Sequence, residues 1–403
     1  MWDLNFSNIE EILLIFFLLL VIILIAAFRG KKFAGGKGTE DEPYLLKTAI
    51  HLNNIRKFPD AHFRQEADIT LAGYKHGKGW NPIGNIDERF RGAYNGNGFQ
   101  IRNLIIDRPD QDRVGLFCYI EGATLKNIKL RDVRISGKLH AGALAGETKN
   151  TVIMNCSARG NVAGANNVSG LIGTNNGNIS NCYAGGNISG VSLIGGLVGS
   201  NIKGEITNSY AEGKVSGEKW FVGGLAGENR GSVTNCYSRG IVSGGGCRVG
   251  GLVGYNIGSV TNSYAQCEVK GANNVGGLVG SNHSSIRNCY GTGKVRGNYF
   301  IGGLVGGNEG GVITNCYARA PVTGEGMIGG LVGAKADGII NNSYYDQEIA
   351  GLVNIADDND RSAREMKCRE TYRNWDFEKI WNIREGQAYP FLQWQSEYTG
   401  TEK

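Results

Sequence analysis

The stretch that decides the fold begins with Phe-Val-Gly-Gly-Leu-Ala-Gly at residues 221–227, continues with Ser-Val-Thr-Asn-Cys-Tyr at 232–237, and ends with Gly-Ile-Val-Ser-Gly at 240–244. Each piece is a short run of aliphatic, β-branched or aromatic residues bounded by Gly, Asn or Ser, which is typical of short strands separated by tight turns. No 3.6-residue apolar stripe long enough for a helix occurs in this region. The stretch therefore predicts three short strands within about 27 residues.

This unit returns at a nearly constant spacing. Seven Gly-Leu-aliphatic-Gly copies recur every 26 to 28 residues, and an Asn-(Cys/Ser)-Tyr signature keeps the same period. Two motifs locked to one period predict a stack of coils, each of which buries its apolar face against its neighbours. The leucines are Leu171, Leu197, Leu225, Leu252, Leu278, Leu304 and Leu331, and the asparagines are Asn181, Asn208, Asn235, Asn262, Asn288, Asn315 and Asn342.

We therefore expect an all-β, right-handed parallel β-solenoid (β-helix) of about nine coils with a period of about 27 residues, an N-terminal transmembrane helix and caps at both ends. Glycine is abundant, at 64 of 403 residues, because each coil turns several corners where φ is positive. Proline is scarce, with six residues, since strands in a ladder need their N–H groups.

The composition shifts along the chain predict five regions. A short amphipathic helix from Leu45 to Ile55 is expected to cover the unpaired edge of the first coil. An aromatic cluster is expected to pack as the closing cap, which is a structural role rather than a binding one; its members are Trp375, Phe377, Trp381, Tyr389, Phe391 and Trp394. The regions are a membrane segment (1–32), a flexible linker (33–43), an N-terminal cap with lead-in coils (44–113), the repeat solenoid (114–346) and a C-terminal loop with its aromatic cap (347–403).

The repeats resemble the GLUG-motif family of bacterial and archaeal surface proteins, and also the repeats that precede the catalytic domain of bacterial immunoglobulin A metallopeptidases. The resemblance covers roughly residues 40–395 and includes lead-in segments such as Trp-Asn-Pro-Ile-Gly at 80–84. One departure is Tyr94-Asn95, where Phe-Asp is expected before Gly-Asn-Gly. The resemblance implies a location outside the cell but little about activity, because the family is defined by its repeats.

A membrane segment is predicted from Ile12 to Phe28, an uninterrupted apolar run of 17 residues at the lower limit for spanning a bilayer. Acidic residues and no Lys or Arg precede it, which favours an uncleaved single-pass anchor over a secretory signal. Basic residues follow it, and the positive-inside rule would then hold the solenoid in the cytoplasm. We expect an extracellular solenoid from the resemblance, and the charge pattern is an open objection; the basic residues are Arg29, Lys31, Lys32 and Lys37.

Nine cysteines raise the question of disulfides. Five of them occupy the position after the signature asparagine, where other copies have Ser209, Ser263 and Ser343. The position therefore requires a small interior side chain. We expect free, buried thiols, although Cys156 with Cys182 and Cys289 with Cys316 would lie on adjacent coils within bridging distance. Cys236 has serine on both neighbouring coils, so bridging is not the purpose of the position.

The signature also predicts two rows along the solenoid. The asparagines should form a ladder at a bend, because seven asparagines in a dry core are unfavourable without partners. The tyrosines should stack, either as a structural element or as a face on which sugar rings pack. These candidate ligand-binding residues are Tyr183, Tyr210, Tyr237, Tyr264, Tyr290 and Tyr317, with Tyr344 completing the row.

Charge gives a second candidate surface. Between Val133 and Ala336 there are 16 Lys and Arg residues against eight glutamates and no aspartate. A basic row facing anionic glycans or other anionic polymers is one interpretation, and a solvated face is the other; the row would contain Arg239, Lys270, Lys294 and Arg319. Clustered aromatic and basic residues of the kind that bind nucleic acid are not evident.

Catalytic patterns are missing from the sequence. The eight glutamates are spread over different coils, whereas polysaccharide cleavage needs a carboxylate pair, and no His-Glu-x-x-His motif occurs. We therefore expect a non-catalytic binding or adhesion scaffold on a cell surface, with no cofactor or metal. A carbohydrate-active enzyme on the same architecture and a purely structural envelope component are the alternatives, and the sequence does not define the oligomeric state.

Overall fold

The computed structural model describes residues 13–19, 32–352 and 358–395. The chain is a parallel β-solenoid of about eleven turns, which confirms the predicted fold. The prediction of nine coils was too low. The lead-in strands Tyr44–Leu46, His62–Gln65 and Ala93–Asn95 are in register with the first repeat coils, although they lack the Gly-Leu signature.

Each repeat coil contains four strands rather than the three predicted. In the coil quoted first, the piece at 221–227 bends at Gly224 and Leu225, which divides it into Val222–Gly223 and Ala226–Asn229. The other strands of this coil are Ser232–Thr234 and Tyr237–Gly244. Stacking of equivalent strands builds four parallel sheets along the rod, A to D.

Sheet A has twelve strands: Tyr44–Leu46, His62–Gln65, Ala93–Asn95, Thr124–Lys126, Val152–Met154, Asn178–Ser180, Glu205–Thr207, Ser232–Thr234, Ser259–Thr261, Ser285–Arg287, Val312–Thr314 and Ile339–Asn341. Sheet B has fifteen: Ile69–Thr70, Gln100–Arg102, Ile105–Asp107, Lys129–Ser136, Ser157–Ala163, Tyr183–Gly190, Tyr210–Gly217, Tyr237–Gly244, Tyr264–Lys270, Tyr290–Thr292, Val295–Arg296, Tyr317–Arg319, Val322–Thr323, Tyr344–Asp346 and Asp360–Arg361.

Sheet C has nine strands: Phe117–Glu121, Ala145–Lys149, Ile172–Asn175, Val198–Asn201, Ala226–Asn229, Val253–Asn256, Val279–Asn282, Val305–Glu309 and Val332–Ala336. Sheet D has eight: Leu139–Ala141, Asn166–Ser169, Ser192–Gly195, Val222–Gly223, Cys247–Gly250, Asn273–Gly276, Tyr299–Gly302 and Ile328–Gly329. A separate antiparallel pair joins Trp381–Asn382 to Phe391–Leu392.

The core lies inside the coils. The repeat leucines sit at the bend between sheets D and C, and Leu225 and Leu252 are fully buried. Valine and isoleucine from the sheets fill the rest of each layer, as Val222 and Val233 do. Burial of one such side chain stabilises the fold by about 1.5–3 kcal/mol, so the stack is stable only when neighbouring coils cover each layer.

The N-terminal cap differs from its prediction. Tyr44–Leu46 pairs with His62–Gln65 as a strand, so the expected helix is confined to Ala49–Asn54, capped by the Thr48 side chain, and a 3-10 turn at Ile55–Lys57. The stretch expected to be a linker is packed, because Phe33 is buried and stacks on Tyr44 with ring centroids 4.2 Å apart.

Residues expected to form a loop after the solenoid contain the helix Gln347–Ala350 and the strand Asp360–Arg361. Three further 3-10 turns are Ala72–Tyr74, Glu365–Lys367 and Arg369–Tyr372. Residues 13–19 are helical. The rest of the predicted span from Ile12 to Phe28 lies outside the described residues, and no described helix has the length and apolar character needed to cross a bilayer.

Candidate functional site

The tyrosine row lies along sheet B, where each tyrosine from Tyr183 onward begins a strand and faces its counterpart on the next coil. Successive ring centroids from Tyr183 to Tyr317 are 4.6–5.1 Å apart. The signature asparagine two residues earlier has φ near +50° in every copy, for example 54° at Asn235. This confirms the predicted bend. The bend places the tyrosine outside the coil and the Cys or Ser that precedes it inside the coil.

The C-terminal strap, residues 366–395, lies over most of this row. Trp394 packs on Tyr264 with centroids 5.7 Å apart, and Trp381 packs on Tyr290 and Tyr317 at 6.2 and 6.1 Å. The aromatic cluster therefore has the predicted packing role, but its location differs from the prediction. It runs back along the side of the solenoid instead of closing its end.

The strap removes most of the predicted tyrosine face from solvent. Tyr237, Tyr264, Tyr290 and Tyr317 are between 2% and 9% exposed, so these four act as packing residues in this structure. Burial raises the pKa of the Tyr264 phenol above its usual value. Only Tyr183 and Tyr210 at one end, and Tyr344 at the other, are half-buried.

The predicted basic row is not one row. Arg239 and Arg319 share a register line on sheet B, but Gln266 and Thr292 separate them. Arg239 also donates to Gln266 and Tyr264, and the Arg319 guanidinium lies over the strap residue Tyr389. Lys270 aligns with Arg296 on a different line, and Lys294 precedes the strand Val295–Arg296. These four residues therefore do not form a continuous basic stripe.

A groove lies open beside Tyr183, at one end of the tyrosine row. Its volume is about 490 Å³, its walls include Arg131, Asp132, Arg159, Tyr183 and Glu212, and glycines line the rest. The Arg159 guanidinium lies over the Tyr183 ring, 5.2 Å from its centroid. This open groove combines an aromatic face with two guanidinium groups.

The position after the signature asparagine, called the slot below, is a small interior site, as predicted. The Sγ of Cys236 donates to the Thr234 carbonyl at 3.2 Å, and Ser209 Oγ donates to the Thr207 carbonyl at 2.7 Å in the equivalent geometry. All five slot thiols are free and buried. Burial raises the pKa of Cys236 to about 12, so the reactive thiolate is scarce at neutral pH.

We expect iodoacetamide to modify the slot cysteines of the native protein much more slowly than Cys247 and Cys368, because the latter are only partly buried and alkylation needs an accessible thiolate. Mass spectrometry of peptides after timed quenching measures the two rates. Denaturation should make the rates equal, and fast native labelling of Cys236 would contradict the prediction.

A second asparagine ladder, which the sequence reasoning missed, runs inside sheet C. Five Nδ2 groups donate to the Oδ1 of the next coil at 2.8–2.9 Å, and all six side chains are fully buried. The signal was present, since an asparagine follows six of the seven Gly-Leu copies at the same offset, and Lys335 takes this place in the last copy. The members are Asn175, Asn201, Asn229, Asn256, Asn282 and Asn308.

A corner at the start of the sheet D strands carries a row of residues with positive φ, at the second strand residue in most coils and at Phe221 just before Val222–Gly223. Two coils have asparagine at this position, Asn167 and Asn274, and asparagine adopts positive φ more readily than most residues. Other coils have Leu193, Phe221 and Arg248 there, with φ of 60–65°. Such bulky residues in this conformation cost about 1–3 kcal/mol each. The corner side chain reaches over the next coil, as Phe221 does by stacking on Tyr255 at 5.0 Å.

The aromatic edge is the exposed outer surface of this corner, and the sequence reasoning did not find it. Trp220 is 52% exposed and Tyr299 is 53% exposed. Register places them at equivalent positions three coils apart, or about 14 Å at the usual strand spacing. Between them on the same line lie Cys247 and Asn273, both half-buried, and Arg248 lies on the adjacent line with Phe221.

Arg248 is held between two rings on this edge. Its guanidinium carbon is 5.4 Å from the Phe221 centroid and 5.0 Å from the Tyr255 centroid. Its Nε is buried without a hydrogen-bond partner in the described part of the chain. No carboxylate of the described residues lies within 4.0 Å of it, so an anion would be favoured beside the guanidinium.

One polar cluster near the edge has residue types found in hydrolases. Ser281 donates to Glu309 at 2.8 Å, and His283 Nε2 lies 3.4 Å from Ser281 and 3.3 Å from Glu309. Both contacts use the same imidazole nitrogen, whereas a triad uses one nitrogen for each partner. Ser281 is also fully buried. Within the described ranges, no group of three His, Cys, Asp or Glu side chains is placed to hold a metal ion.

Comparison with known proteins identifies the repeats. The GLUG motif matches residues 190–216, 245–266, 271–296 and 297–323, so the chain carries GLUG-motif repeats, as the resemblance predicted. It is 44% identical over 103 residues to a Gly-rich membrane protein of Evansella cellulosilytica, covering 24% of this chain and 12% of that protein. It is 38% identical over 150 residues to halomucin of Haloquadratum walsbyi, covering 35% of this chain and 2% of halomucin.

The chain thus spans only a small part of either relative. Their names fit a scaffold that occurs in membrane and surface proteins. Among solved structures, a Bacteroides ovatus protein described as an immunoglobulin A1 protease is 19% identical with a TM-score of 0.48, over 91% of this chain and 96% of that one.

Proposed function

We propose that the chain is a membrane-anchored surface scaffold that binds acidic glycans along its aromatic edge without cleaving them. The observation that carries the proposal is the pair of exposed rings, Trp220 and Tyr299, at equivalent positions three coils apart, with Arg248 on the adjacent line of an intervening coil. Aromatic faces pack on the apolar faces of sugar rings. A guanidinium recognises carboxylate or sulfate groups through paired hydrogen bonds.

Strain at the corner supports this assignment. Asn167 and Asn274 show that asparagine fits the positive-φ position, yet the coils between Trp220 and Tyr299 also use Phe221 and Arg248 there. Persistence of unfavourable backbone conformations is common at ligand sites. The similarity to proteins named as membrane and surface proteins supports the location, with residues 12–28 as the anchor and the solenoid outside.

A labelled oligogalacturonate that does not cross membranes tests site and location together. Intact cells that produce the full chain should bind it, and the double variant Trp220→Ala/Tyr299→Ala should bind at least tenfold more weakly, which corresponds to about 1.4 kcal/mol. Arg248→Asn keeps a residue suited to positive φ and should remove the preference for the acidic oligosaccharide over its neutral analogue.

Ile339→Ala is the matched control, because Ile339 is equally exposed at 52% but lies on sheet A. Binding only after permeabilisation would show that the solenoid faces inward. Equal binding by the double variant and the control would refute the aromatic edge as the site. Shortening of the oligosaccharide by the purified chain would favour the enzyme alternative.

A further inference from the structure

The strap shows how the tyrosine row binds a peptide. Trp394 donates its indole N–H to the Asn262 carbonyl at 3.0 Å while its ring lies against Tyr237 of the preceding coil, at 6.4 Å. Trp375 repeats the arrangement three coils further on, with Nε1 to the Asn342 carbonyl at 2.9 Å and its ring 6.3 Å from Tyr317. Two independent tryptophans thus use the same pair of groups, an asparagine carbonyl at the bend and a tyrosine ring one coil earlier.

Tyrosine hydroxyls add a second set of contacts. Tyr317 donates to the Pro390 carbonyl at 2.7 Å, and Gln395 donates to the Tyr290 hydroxyl at 2.7 Å. The row therefore offers rings, hydroxyls and bend carbonyls at every coil. An extended segment bearing a tryptophan satisfies all three without a preformed pocket.

The same groups continue beyond the strap. Tyr183, Tyr210 and Tyr237 are in register, and Asn208 has the same bend, with φ of 49°. The Asn208 carbonyl and Tyr183 therefore occupy the same register positions as the Asn262 carbonyl and Tyr237, although the Tyr183 ring is tilted by 38° from Tyr210. Tyr183 also lines the open groove.

Charge distinguishes the open groove from the covered part of the row. Arg131 and Arg159 both line it, and burial, followed by the positive charge of Arg159, lowers the pKa of Arg131. Neither forms an ion pair within 4.0 Å among the described residues, and of the two carboxylates that line the groove, Asp132 offsets part of the repulsion at Arg131 while Glu212 faces Arg239 at 3.8 Å. An occupant with carboxylates next to its aromatic side chain would relieve the repulsion between the two guanidinium groups.

We propose that the open groove, with the half-buried Tyr183 at its side, is a docking site for an extended peptide segment of a second protein that carries a tryptophan beside acidic residues. The strap is the intramolecular example of this binding mode. Gly185 stands on the register line between Arg159 and Glu212 and brings no side chain there, and the next line consists of Gly160, Gly186 and Gly213. An extended backbone can therefore approach the sheet closely along the groove.

The probe is a labelled synthetic peptide with the strap sequence Gln-Ala-Tyr-Pro-Phe-Leu-Gln-Trp-Gln followed by two glutamates, and fluorescence anisotropy with the full chain measures its binding. Replacement of the peptide tryptophan by alanine should weaken binding at least tenfold. The variant Arg131→Ser/Arg159→Ser should also weaken binding at least tenfold and flatten its salt dependence, because the charge contacts are then lost.

Arg287→Ser is the matched control, since Arg287 is exposed on sheet A, and it should bind as the parent does. Equal affinity of the groove variant and this control would overturn the proposal. Binding that appears only after truncation following Gln395 would also overturn it, because the chain's own C-terminal residues would then be the occupant. Retention of an acidic oligosaccharide by the groove, with no affinity for the peptide, would assign it to glycans instead.

Discussion

Replacement of Asn256 by alanine should lower the free energy of unfolding by about 3 kcal/mol or more. The side chain is fully buried, accepts from Asn229 at 2.9 Å and donates to Asn282 at 2.8 Å. Its loss breaks two ladder hydrogen bonds, each worth about 0.5–1.5 kcal/mol, and leaves a buried cavity. The Asn229 amide then keeps the Ser259 carbonyl at 3.1 Å, and the Asn282 oxygen keeps only the Ser284 N–H at 3.4 Å. Chemical denaturation followed by circular dichroism measures the change.

Two further variants separate the hydrogen bonds from the cavity. Asn256→Asp keeps the side-chain volume but, when ionised, cannot donate to Asn282, so it should destabilise at least as strongly as the alanine variant. Asn187→Ala removes an asparagine that is exposed on sheet B and should change stability by less than about 0.5 kcal/mol. If Asn256→Asp unfolds at the same denaturant concentration as the parent, the ladder is not a major source of stability.

The contrast between the two asparagine ladders shows what the repeat pattern can reveal. The signature asparagines precede a Cys/Ser-Tyr pair in each of the seven repeats, and the bend at them was predicted because seven asparagines in a dry core are unfavourable without partners. The sheet C asparagines recur with the same period. However, they follow segments such as Gly199-Ser200, whose composition is typical of an exposed turn. Their burial depends on a partner in the next coil, which only the stacked register supplies.

A row of identical residues along a solenoid is also easier to predict than a surface formed by residues at different repeat positions. Each tyrosine occupies one fixed offset in its repeat, so the stack was predictable from spacing alone. Arg239 and Lys270 occupy different offsets, and register therefore separates them. Grouping residues by charge without offset produced a basic row that the coils do not form.

The strap was not predictable from the period, because its sequence does not repeat and its contacts are distant in sequence. Trp394 bonds to Asn262, 132 residues earlier, and Gln395 bonds to Tyr290, 105 residues earlier. Composition indicated that these aromatic residues would be buried. It did not indicate that the tyrosine row, proposed as a ligand face, would be the surface that buries them.

Replacement of Trp381 by alanine should release the strap while leaving the solenoid folded. Trp381 is fully buried between the strap and the row, 4.4 Å from Trp375 and about 6 Å from Tyr290 and Tyr317 between ring centroids. Loss of a buried tryptophan costs about 3–5 kcal/mol, which is comparable to the stability of a segment held on one face. The coils keep their own ladders and leucine layers, so the loss should stay local.

Limited trypsin digestion tests this, because the backbone around Lys379 and Arg384, which are exposed on the strap, must unfold locally before trypsin can cut it, and detachment of the strap favours that unfolding. The variant should be cut there at least tenfold faster than the parent, while the solenoid core resists, and hydrogen exchange should rise at Tyr290 and Tyr317. Trp220→Ala, which removes an exposed tryptophan far from the strap, should be cut at the parental rate. Unchanged cleavage of Trp381→Ala would mean that the terminal hydrogen bonds at Asn262, Tyr290 and Asn342 are enough to hold the strap, and simultaneous loss of the solenoid would mean that the strap is part of its core.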